Sequence, residues 1–377
     1  MNRRERLMAA LRGEPVDRPP VSFYEIDGSQ DIAGRDPFNI YSHPSWKPLI
    51  DLARAKTDRI VRRYVPFKNA PADPLAELSR TESHIDGHGN RLTTNTIRAG
   101  KRILTSRLRR DPDVNTIWTL EHLLKDTEDV KAWLDLPEPV LGGEPDVDVI
   151  LDIEKQLGGD GIAMIDTGDP LCAAADLFEM GQFTIMAMTE PELFRRIMDR
   201  FARHYWFQTE AIARALPGRL WRICGPEYAS EPYLPPRLFN EYVVAYDKPM
   251  VDSIQRNGGF ARIHCHGRLK SVLDHIAATG CVGLDPIEPP PQGDVELIYV
   301  REHYGRQMTL FGNLEASDIE NLETGRFQQK VMKAIREGTA GEGRGFVLMP
   351  SACPYGRVLS GLAMRNYEKI VEMIEKL

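Results

Sequence analysis

The chain has 377 residues, of which 42% are apolar and 27% charged, and its formal net charge is −7. This composition is typical of a globular protein that can bury a full core without disulfide bonds. The acidic balance argues against a nucleic-acid partner, which usually requires a basic face, and no apolar run is long enough to span a membrane.

The N-terminal segment MNRRERLMAALRGE is charged throughout and lacks the apolar stretch of a secretory signal peptide, so we expect a cytoplasmic protein. The five cysteines are an odd and scattered set, which does not indicate a disulfide framework. Most of them are expected to be buried small apolar residues, including Cys224 inside a predicted strand, and one or two are candidate metal ligands.

The first predicted element is a helix from about Asn2 to Arg12, with Leu7 and Leu11 on its apolar face. Residues 60–118 differ in character, because short alternating runs are separated by turn signals, as in ESHIDGHGNRLTTNTIRAG. Such alternation with DG, GHGN and AG turns is typical of β-hairpins, so this stretch is predicted to be a hairpin insertion. The segment TEDVKAWLDLPEP then predicts a short helix that ends at proline.

From about residue 148, short apolar runs with polar or glycine-rich ends alternate with amphipathic helices. Strands are predicted in GIAMIDTGDP, LWRICGPEYASEP, GFARIHCHG, CVGLDPIEPPP, RQMTLFGNLEA and GRGFVLMPSACPYG. This alternation implies a parallel sheet, and the absence of GxGxxG or GxxxxGK after any strand argues against a nucleotide-binding open sheet. We predict a single domain over residues 1–377, an α/β protein with a TIM-type (β/α)8 barrel, an N-terminal helix and the 60–118 insertion.

Polar side chains follow almost every strand of the predicted barrel. The active site of a TIM barrel lies at the carboxyl ends of its strands, so these side chains are expected to meet at one mouth. They are Asp166 and Asp169, Glu227, His264 and His266, Asp285 and Glu288, Asn313 and Glu315, and Ser351 and Cys353.

The segment RIHCHG, residues 262–267, is the sharpest of these features. Residues i and i+2 of a strand point to the same face, so His264 and His266 are expected on one side and Cys265 on the other. Three roles remain open for the pair: metal ligation, catalysis or substrate binding without a metal, and a structural polar pair. Cys353 is a candidate third ligand, since zinc prefers nitrogen and sulfur donors, with an unreactive buried cysteine as the alternative.

The carboxylates at the predicted mouth are candidates for catalysis, for support of the histidines and for substrate binding. Glu227 is a candidate catalytic residue or fourth ligand, with a loop salt bridge as the alternative. Asp285 and Glu288 lie in the proline-rich segment LDPIEPPPQGD, which would hold them at the mouth as catalytic residues or as partners of the histidines. The residues predicted to bind substrate are Asp166, Asn313 and Glu315.

Several segments resemble the uroporphyrinogen decarboxylase superfamily: RRERLMAALRGEPVDRPPV, EHLLKDTEDVKAWLDLP, GPEYASEPYLPPRLFNEYV, IHCHG and FGNLEA. The resemblance covers essentially the whole chain and implies a TIM barrel. The true decarboxylases of the superfamily use no cofactor and hold a tetrapyrrole with an arginine-rich RQAGR-type segment. The corresponding PPVSFYEIDGSQD has no such cluster, so the chain more closely resembles the corrinoid-dependent (cobalamin) methyltransferase branch.

Members of that branch bind zinc through an H-x-C pair at one strand end and a later cysteine. The resemblance implies that His264 is the first ligand and Cys353 the last, whereas His266 stands where the family has cysteine. It implies a zinc-dependent methyltransferase that moves a methyl group between a small substrate and a corrinoid carried by a partner protein. The alternatives are a metal-free lyase that acts on a carboxylated substrate and a barrel that binds a small ligand without turnover. The oligomeric state stays open, with a homodimer as one option.

Overall fold

A curved parallel β-sheet forms the centre of the molecule. The computed structural model describes residues 1–377. The strands are β1 (Arg59–Arg63), β2 (Phe67–Lys68), β3 (Ser79–Ile85), β4 (Arg91–Ala99), β5 (Arg102–Arg110), β6 (Ile117–Glu121), β7 (Glu144–Pro145), β8 (Gly161–Gly168), β9 (Leu220–Cys224), β10 (Phe260–Cys265), β11 (Gly283–Pro286), β12 (Thr309–Leu314) and β13 (Phe346–Pro350).

Seven of these strands pair in parallel in the order β1-β8-β9-β10-β11-β12-β13. An extended segment near the N-terminus occupies the eighth position, because Val21 forms a parallel bridge with Leu348 of β13. The Val21 carbonyl also accepts a hydrogen bond from the amide of Asp58, directly before β1, at 2.7 Å. The sheet therefore closes on itself, and the predicted α/β barrel is confirmed.

Helices cover the outside of the barrel and return the chain between its strands, as a parallel sheet requires. They are α1 (Arg3–Arg12), α2 (Lys47–Lys56), α3 (Thr127–Leu134), α4 (Asp148–Leu157), α5 (Pro170–Ala175), α6 (Met180–Thr189), α7 (Pro191–Ala215), α8 (Pro236–Phe239), α9 (Ala245–Arg256), α10 (Leu273–Ala278), α11 (Leu297–Tyr304), α12 (Ala316–Asn321), α13 (Thr324–Gly338) and α14 (Gly361–Glu375), with a π-helical turn at Asn240–Val244 before α9. None of them is both long enough and apolar enough to span a membrane.

Helix α1 closes the end of the barrel where the strands begin. It lies where the sequence predicts a helix, starts with a capping box between Asn2 and Glu5, and ends at Gly13 in the left-handed conformation. Leu7 and Leu11 are buried against apolar side chains that point into the barrel from several strands. This end of the lumen is therefore a packed core, which leaves the carboxyl ends of the strands as the open side.

The antiparallel insertion is a four-stranded sheet in the order β3-β4-β5-β6, built from residues 79–121. Its turns fall where the sequence places them, with Gly89 and Gly100 at positive φ after β3 and β4. The predicted 60–118 boundaries differ from the structure at their start, because β1 in that range belongs to the barrel. Strand β1 is short and rich in arginine, so its pattern did not distinguish it from the hairpins.

Candidate active site at the barrel mouth

The inward-facing side chains of four neighbouring strands form two polar layers below the mouth. In the first layer Asp166, Arg222 and Arg262 occupy matching register positions on β8, β9 and β10. The second layer lies two residues further along each strand and includes Cys224, His264 and Asp285. Because side chains alternate along a strand, both layers point into the lumen.

His264 is buried and hydrogen-bonded through both ring nitrogens. Its Nδ1 lies 2.7 Å from Asp285 Oδ2, and its Nε2 lies 3.3 Å from the hydroxyl of Tyr24. The Tyr24 hydroxyl also accepts a hydrogen bond from Arg222 Nη1, so its own proton is free to be donated to His264 Nε2. Because a carboxylate can only accept, Nδ1 of His264 donates its hydrogen to Asp285.

Asp285 is fully buried yet remains a carboxylate. Burial opposes its negative charge, but Arg262 Nε at 2.9 Å and the hydrogen bond with His264 outweigh that effect and lower the pKa of Asp285 to about 2. Burial in turn lowers the pKa of Arg262, and the charge of Asp285 offsets part of this change. Asp285 thus holds both the orientation and the tautomer of His264.

His266 forms a second imidazole–carboxylate pair. Its Nδ1 lies 2.9 Å from Glu288 Oε1, and Glu288 Oε2 accepts a hydrogen bond from the amide of Gly267 at 2.7 Å. Burial disfavours the imidazolium, but the hydrogen bond and charge of Glu288 outweigh it and raise the pKa of His266. Burial disfavours the Glu288 carboxylate as well, and the contact with His266 nevertheless lowers the pKa of Glu288. The pair therefore favours a protonated His266.

The two histidine rings contact each other edge to face, with centroids 4.6 Å apart and an interplanar angle of 89°. Cys265 points away from them and is fully buried in the apolar core. The prediction that His264 and His266 share one face, with Cys265 on the other, is confirmed. The physical reason is the alternation of side chains along β10.

A cavity of about 310 Å³ opens beside the histidine pair. We call it the mouth cavity. Its walls include Tyr24 and a group of arginines, and its floor includes Ile60, Met164 and Met349. The histidines themselves do not line it, and Tyr24, which contacts His264, stands between them and the cavity. This volume suits a small molecule.

Two arginines at the mouth share a carboxylate partner through ion pairs. Arg222 contacts both oxygens of Asp166, at 2.7 and 3.1 Å. Arg62 contacts Asp166 at 3.2 Å and Glu25 at 3.1 Å. Burial opposes the charge of Arg222, but Tyr24, Cys224 and Asp166 outweigh it and raise its pKa. Asp166, predicted to bind substrate, thus uses its carboxylate to position two arginines.

Cys353 lies away from the histidines and turns toward Glu25, with Sγ 3.8 Å from Glu25 Oε2. Burial, together with the negative charge of Glu25, raises the pKa of Cys353 to about 12, which keeps the thiol protonated at neutral pH. No group of three or more His, Cys, Asp or Glu side chains has a geometry that could hold a metal ion. The predicted set of His264, His266 and Cys353 is therefore not assembled, and these residues do not fit a preformed three-ligand zinc site.

The remaining predicted residues lie around the mouth without lining its cavity. Glu227 is half-buried and accepts a hydrogen bond from the amide of Gly225 at 3.2 Å. Glu315 accepts a hydrogen bond from Ser351, and burial together with Glu288 raises the pKa of Glu315. Asn313 is buried on β12, and Asp169 caps the N-terminus of α5.

Four residues of the site were missed by the sequence analysis: Tyr24, Arg222, Arg262 and Cys224. The strand period contained a signal for Arg262, which precedes His264 by two residues and so shares its face. Cys224 was expected in the core, and this is wrong, because it faces the lumen opposite His264 with its Sγ 3.7 Å from Asp166 Oδ1. Tyr24 had no local signal, because only closure of the barrel brings its segment to β10.

The fold and the site define an α/β barrel with paired imidazole–carboxylate groups and a small polar cavity at its mouth. A family model described as uroporphyrinogen decarboxylase (URO-D) matches residues 119–376, more than half of the chain. The chain therefore belongs to the uroporphyrinogen decarboxylase family.

Solved structures with similar folds include a methyltransferase from Methanosarcina mazei, with a TM-score of 0.61, 16% sequence identity, and coverage of 100% of this chain and 99% of that one. At this identity the likeness shows the fold. A D-allulose 3-epimerase from Methylomonas sp. matches with a TM-score of 0.34 and 12% identity over 61% of this chain and 82% of that one. This TM-score is too low to indicate a common fold. Comparison with curated proteins finds no match.

Proposed function

We propose that the protein is a methyltransferase that moves a methyl group between a small substrate in the mouth cavity and a corrinoid carried by a partner protein. The observation that carries this proposal is the pair of contacting imidazoles, His264 and His266, each held on Nδ1 by its own carboxylate. Membership of the uroporphyrinogen decarboxylase family supports it, and so does the full-length fold similarity to a protein named as a methyltransferase.

The two histidines have different hydrogen-bond partners, which suits them to different tasks. When a methyl group leaves an oxygen or nitrogen atom, the atom that remains must gain a proton. The contact with Glu288 raises the pKa of His266, which makes His266 our candidate source of this proton. Tyr24 links Nε2 of His264 to the mouth cavity, so a proton can pass between the cavity and His264 through the Tyr24 hydroxyl.

Zinc remains a prediction. The Nδ1 atoms donate hydrogen bonds to Asp285 and Glu288, which is the kind of support that metal-ligating histidines usually have. The Nε2 atoms are then the candidate metal ligands, and that of His264 would exchange its contact with Tyr24 for the metal. Cys353 does not join them, so the donor set is incomplete, and no step above uses a metal.

Methyl transfer can be tested with free cob(I)alamin as the acceptor and a panel of methyl ethers and methylated amines as donors, followed by the absorption spectrum of the corrinoid. Tyr24→Phe removes the hydroxyl between His264 and Arg222 and is expected to lower the rate about 100-fold. Tyr355→Phe changes an exposed tyrosine outside the cavity and is the matched control. Absence of transfer from every donor would contradict the proposal.

The zinc prediction calls for elemental analysis of protein purified without a metal-binding tag. About one zinc ion per chain is expected, with loss in a His264→Ala/His266→Ala variant and retention in a His84→Ala/His88→Ala control in the exposed hairpin. Cys353→Ser shows whether the thiol turns toward the metal when one is bound. A zinc content near zero in the wild type would overturn the zinc prediction and leave methyl transfer to be judged by its own assay.

A metal-free carboxy-lyase is the second candidate, and the arginines of the mouth cavity favour it because they can hold a carboxylated substrate. This candidate predicts release of carbon dioxide that persists after treatment with a chelator. Methyl transfer to cob(I)alamin without carbon dioxide release would exclude it.

A further inference from the structure

Arg262 is buried at the mouth cavity without the hydrogen bonds that its guanidinium can make. Its side chain is 2% exposed, and neither Nε nor Nη1 has a hydrogen-bond partner. Nε lies 2.9 Å from Asp285 Oδ1, but the two groups are not oriented for a hydrogen bond, since both atoms are unpartnered. A guanidinium has five N–H donors, and burying them without acceptors is unfavourable, so this arrangement is completed by an acceptor from outside the chain.

The neighbours of Arg262 direct its guanidinium toward the cavity, which it lines. Gly283 is its register partner on β11, and a Cβ there would lie 3.1 Å from Arg262 Cβ, so glycine leaves room for the arginine stem. The ring of Phe311 lies 4.6 Å from the guanidinium carbon and supports its flat face. These contacts restrict rotation of the guanidinium.

Arg222, the register partner of Arg262 on β9, is in a different state. Asp166 accepts from its Nε and Nη2, and Tyr24 accepts from its Nη1. Two guanidiniums therefore lie side by side at the cavity, one with partners on all three nitrogens and one without a hydrogen bond. The free hydrogen-bonding capacity is concentrated at Arg262.

Arg262 differs from the other three arginines that line the cavity. All four have different carboxylates as ion-pair partners, so the wall is neutral as a whole. Arg62, Arg63 and Arg222 also donate hydrogen bonds within the chain, so Arg262 is the one guanidinium whose donors are left for an acceptor. The fork of a guanidinium matches the two oxygens of a carboxylate.

We propose that Arg262 is the receptor for a carboxylate group of the substrate, so that the mouth cavity takes small monocarboxylates. The reaction that such a substrate undergoes rests on the proposed methyltransferase function, which would make it a methylated carboxylic acid. The binding step itself does not depend on that function. It can therefore be measured alone.

The test measures binding in the absence of any corrinoid, by ligand-observed NMR on the full-length protein. The probes are acetate, benzoate and butyrate, each compared with its amide (acetamide, benzamide and butyramide), and phenyl phosphate as a dianion. At least one carboxylate is expected to bind at least about tenfold more tightly than its amide and than phenyl phosphate. Equal affinity for acids and amides, no binding of any acid, or a preference for phenyl phosphate would overturn the proposal.

Variants locate the effect at Arg262. Arg262→Gln is expected to lower the affinity for the bound acid at least about tenfold and to leave the affinity for its amide unchanged. Arg262→Lys keeps the charge but loses the fork, so an intermediate affinity is expected. Arg306→Gln, which changes an exposed arginine outside the cavity, is the control.

If Arg262→Gln does not fold, the acid–amide comparison on the wild type and Arg262→Lys still decides whether Arg262 binds the acid. Failure of methyl transfer alongside confirmed acid binding would contradict the proposed function and not this inference.

Discussion

At the scale of single residues, the protonation states of the mouth follow from hydrogen-bond partners more than from burial. Burial alone would favour neutral forms of Asp285 and Glu288, yet contacts with Arg262, His264 and His266 keep both carboxylates charged. His264 and His266 are neighbours with different partners, since His264 contacts Asp285 and Tyr24 whereas His266 contacts Glu288, which raises its pKa. The pair thus joins a histidine linked to the cavity and a candidate acid within contact distance.

The acid role of His266 predicts a specific pH dependence. Glu288→Gln removes the charge that raises the pKa of His266, so the imidazolium is lost at a lower pH. If the reaction needs the protonated ring, the alkaline limb of the pH–rate profile shifts to lower pH. The profile is measured on wild type and variant with the same donor. An unshifted limb would show that His266 is not the titrating acid, and Glu296→Gln on the surface is the control.

At the scale of elements, strand period and strand register together build the site. Residues two apart along β10 and its exit place Arg262, His264 and His266 on one face, with His266 directly after the strand. The register of β9 and β11 adds Arg222 and Asp285 beside them. Helix α1 closes the opposite end of the lumen with Leu7 and Leu11. Its packing determines whether the floor of the cavity stays in place.

Stability therefore depends on α1, although the helix is far from the histidines. Leu11 is 1% exposed, and Leu11→Ala is expected to lower the free energy of unfolding by about 2–5 kcal/mol, because it leaves a cavity in the packed end of the barrel. Arg12→Ala, at the exposed neighbouring position, should change it by no more than about 0.5 kcal/mol. Chemical denaturation measures both. A small effect of Leu11→Ala would mean that α1 is not part of the cooperative core.

At the scale of the whole molecule, the barrel contains a buried carboxyl group that takes no part in the proposed chemistry. Asp247 on α9 is fully buried, and neither of its carboxylate oxygens has a hydrogen-bond partner. Burial, followed by the charge of Glu227, raises the pKa of Asp247. A carboxyl whose folded pKa is raised contributes stability below its unfolded pKa, and this contribution is lost as the pH rises through the folded pKa.

Asp247→Asn removes this titration. The variant should gain stability relative to the wild type as the pH rises, by on the order of 1 kcal/mol for each unit of raised pKa, with no gain in acid. Urea unfolding at a series of pH values measures the difference. Asp252→Asn, on the exposed side of the same helix, is the control. A difference that does not vary with pH would show that Asp247 does not titrate differently in the folded state.

The sequence by itself determined the barrel and the orientation of the histidine pair, because both follow from local periodicity. The alternation of apolar runs and amphipathic helices predicts parallel strands with a polar mouth, and the strand period separates Cys265 from His264 and His266. Asp285 and Glu288 were predicted at the mouth as catalytic residues or as partners of the histidines, because the proline-rich segment follows the next strand, and each contacts one imidazole.

Only the tertiary structure decided the rest, because it depends on contacts between distant parts of the chain. Closure of the barrel through Val21 brings Tyr24 to His264, a contact across 240 positions of sequence. The same closure places Glu25 beside Cys353, so the thiol faces a carboxylate and not the histidines. Register between neighbouring strands pairs Arg262 with Arg222 and leaves one guanidinium without acceptors, which no periodicity within a single strand can reveal.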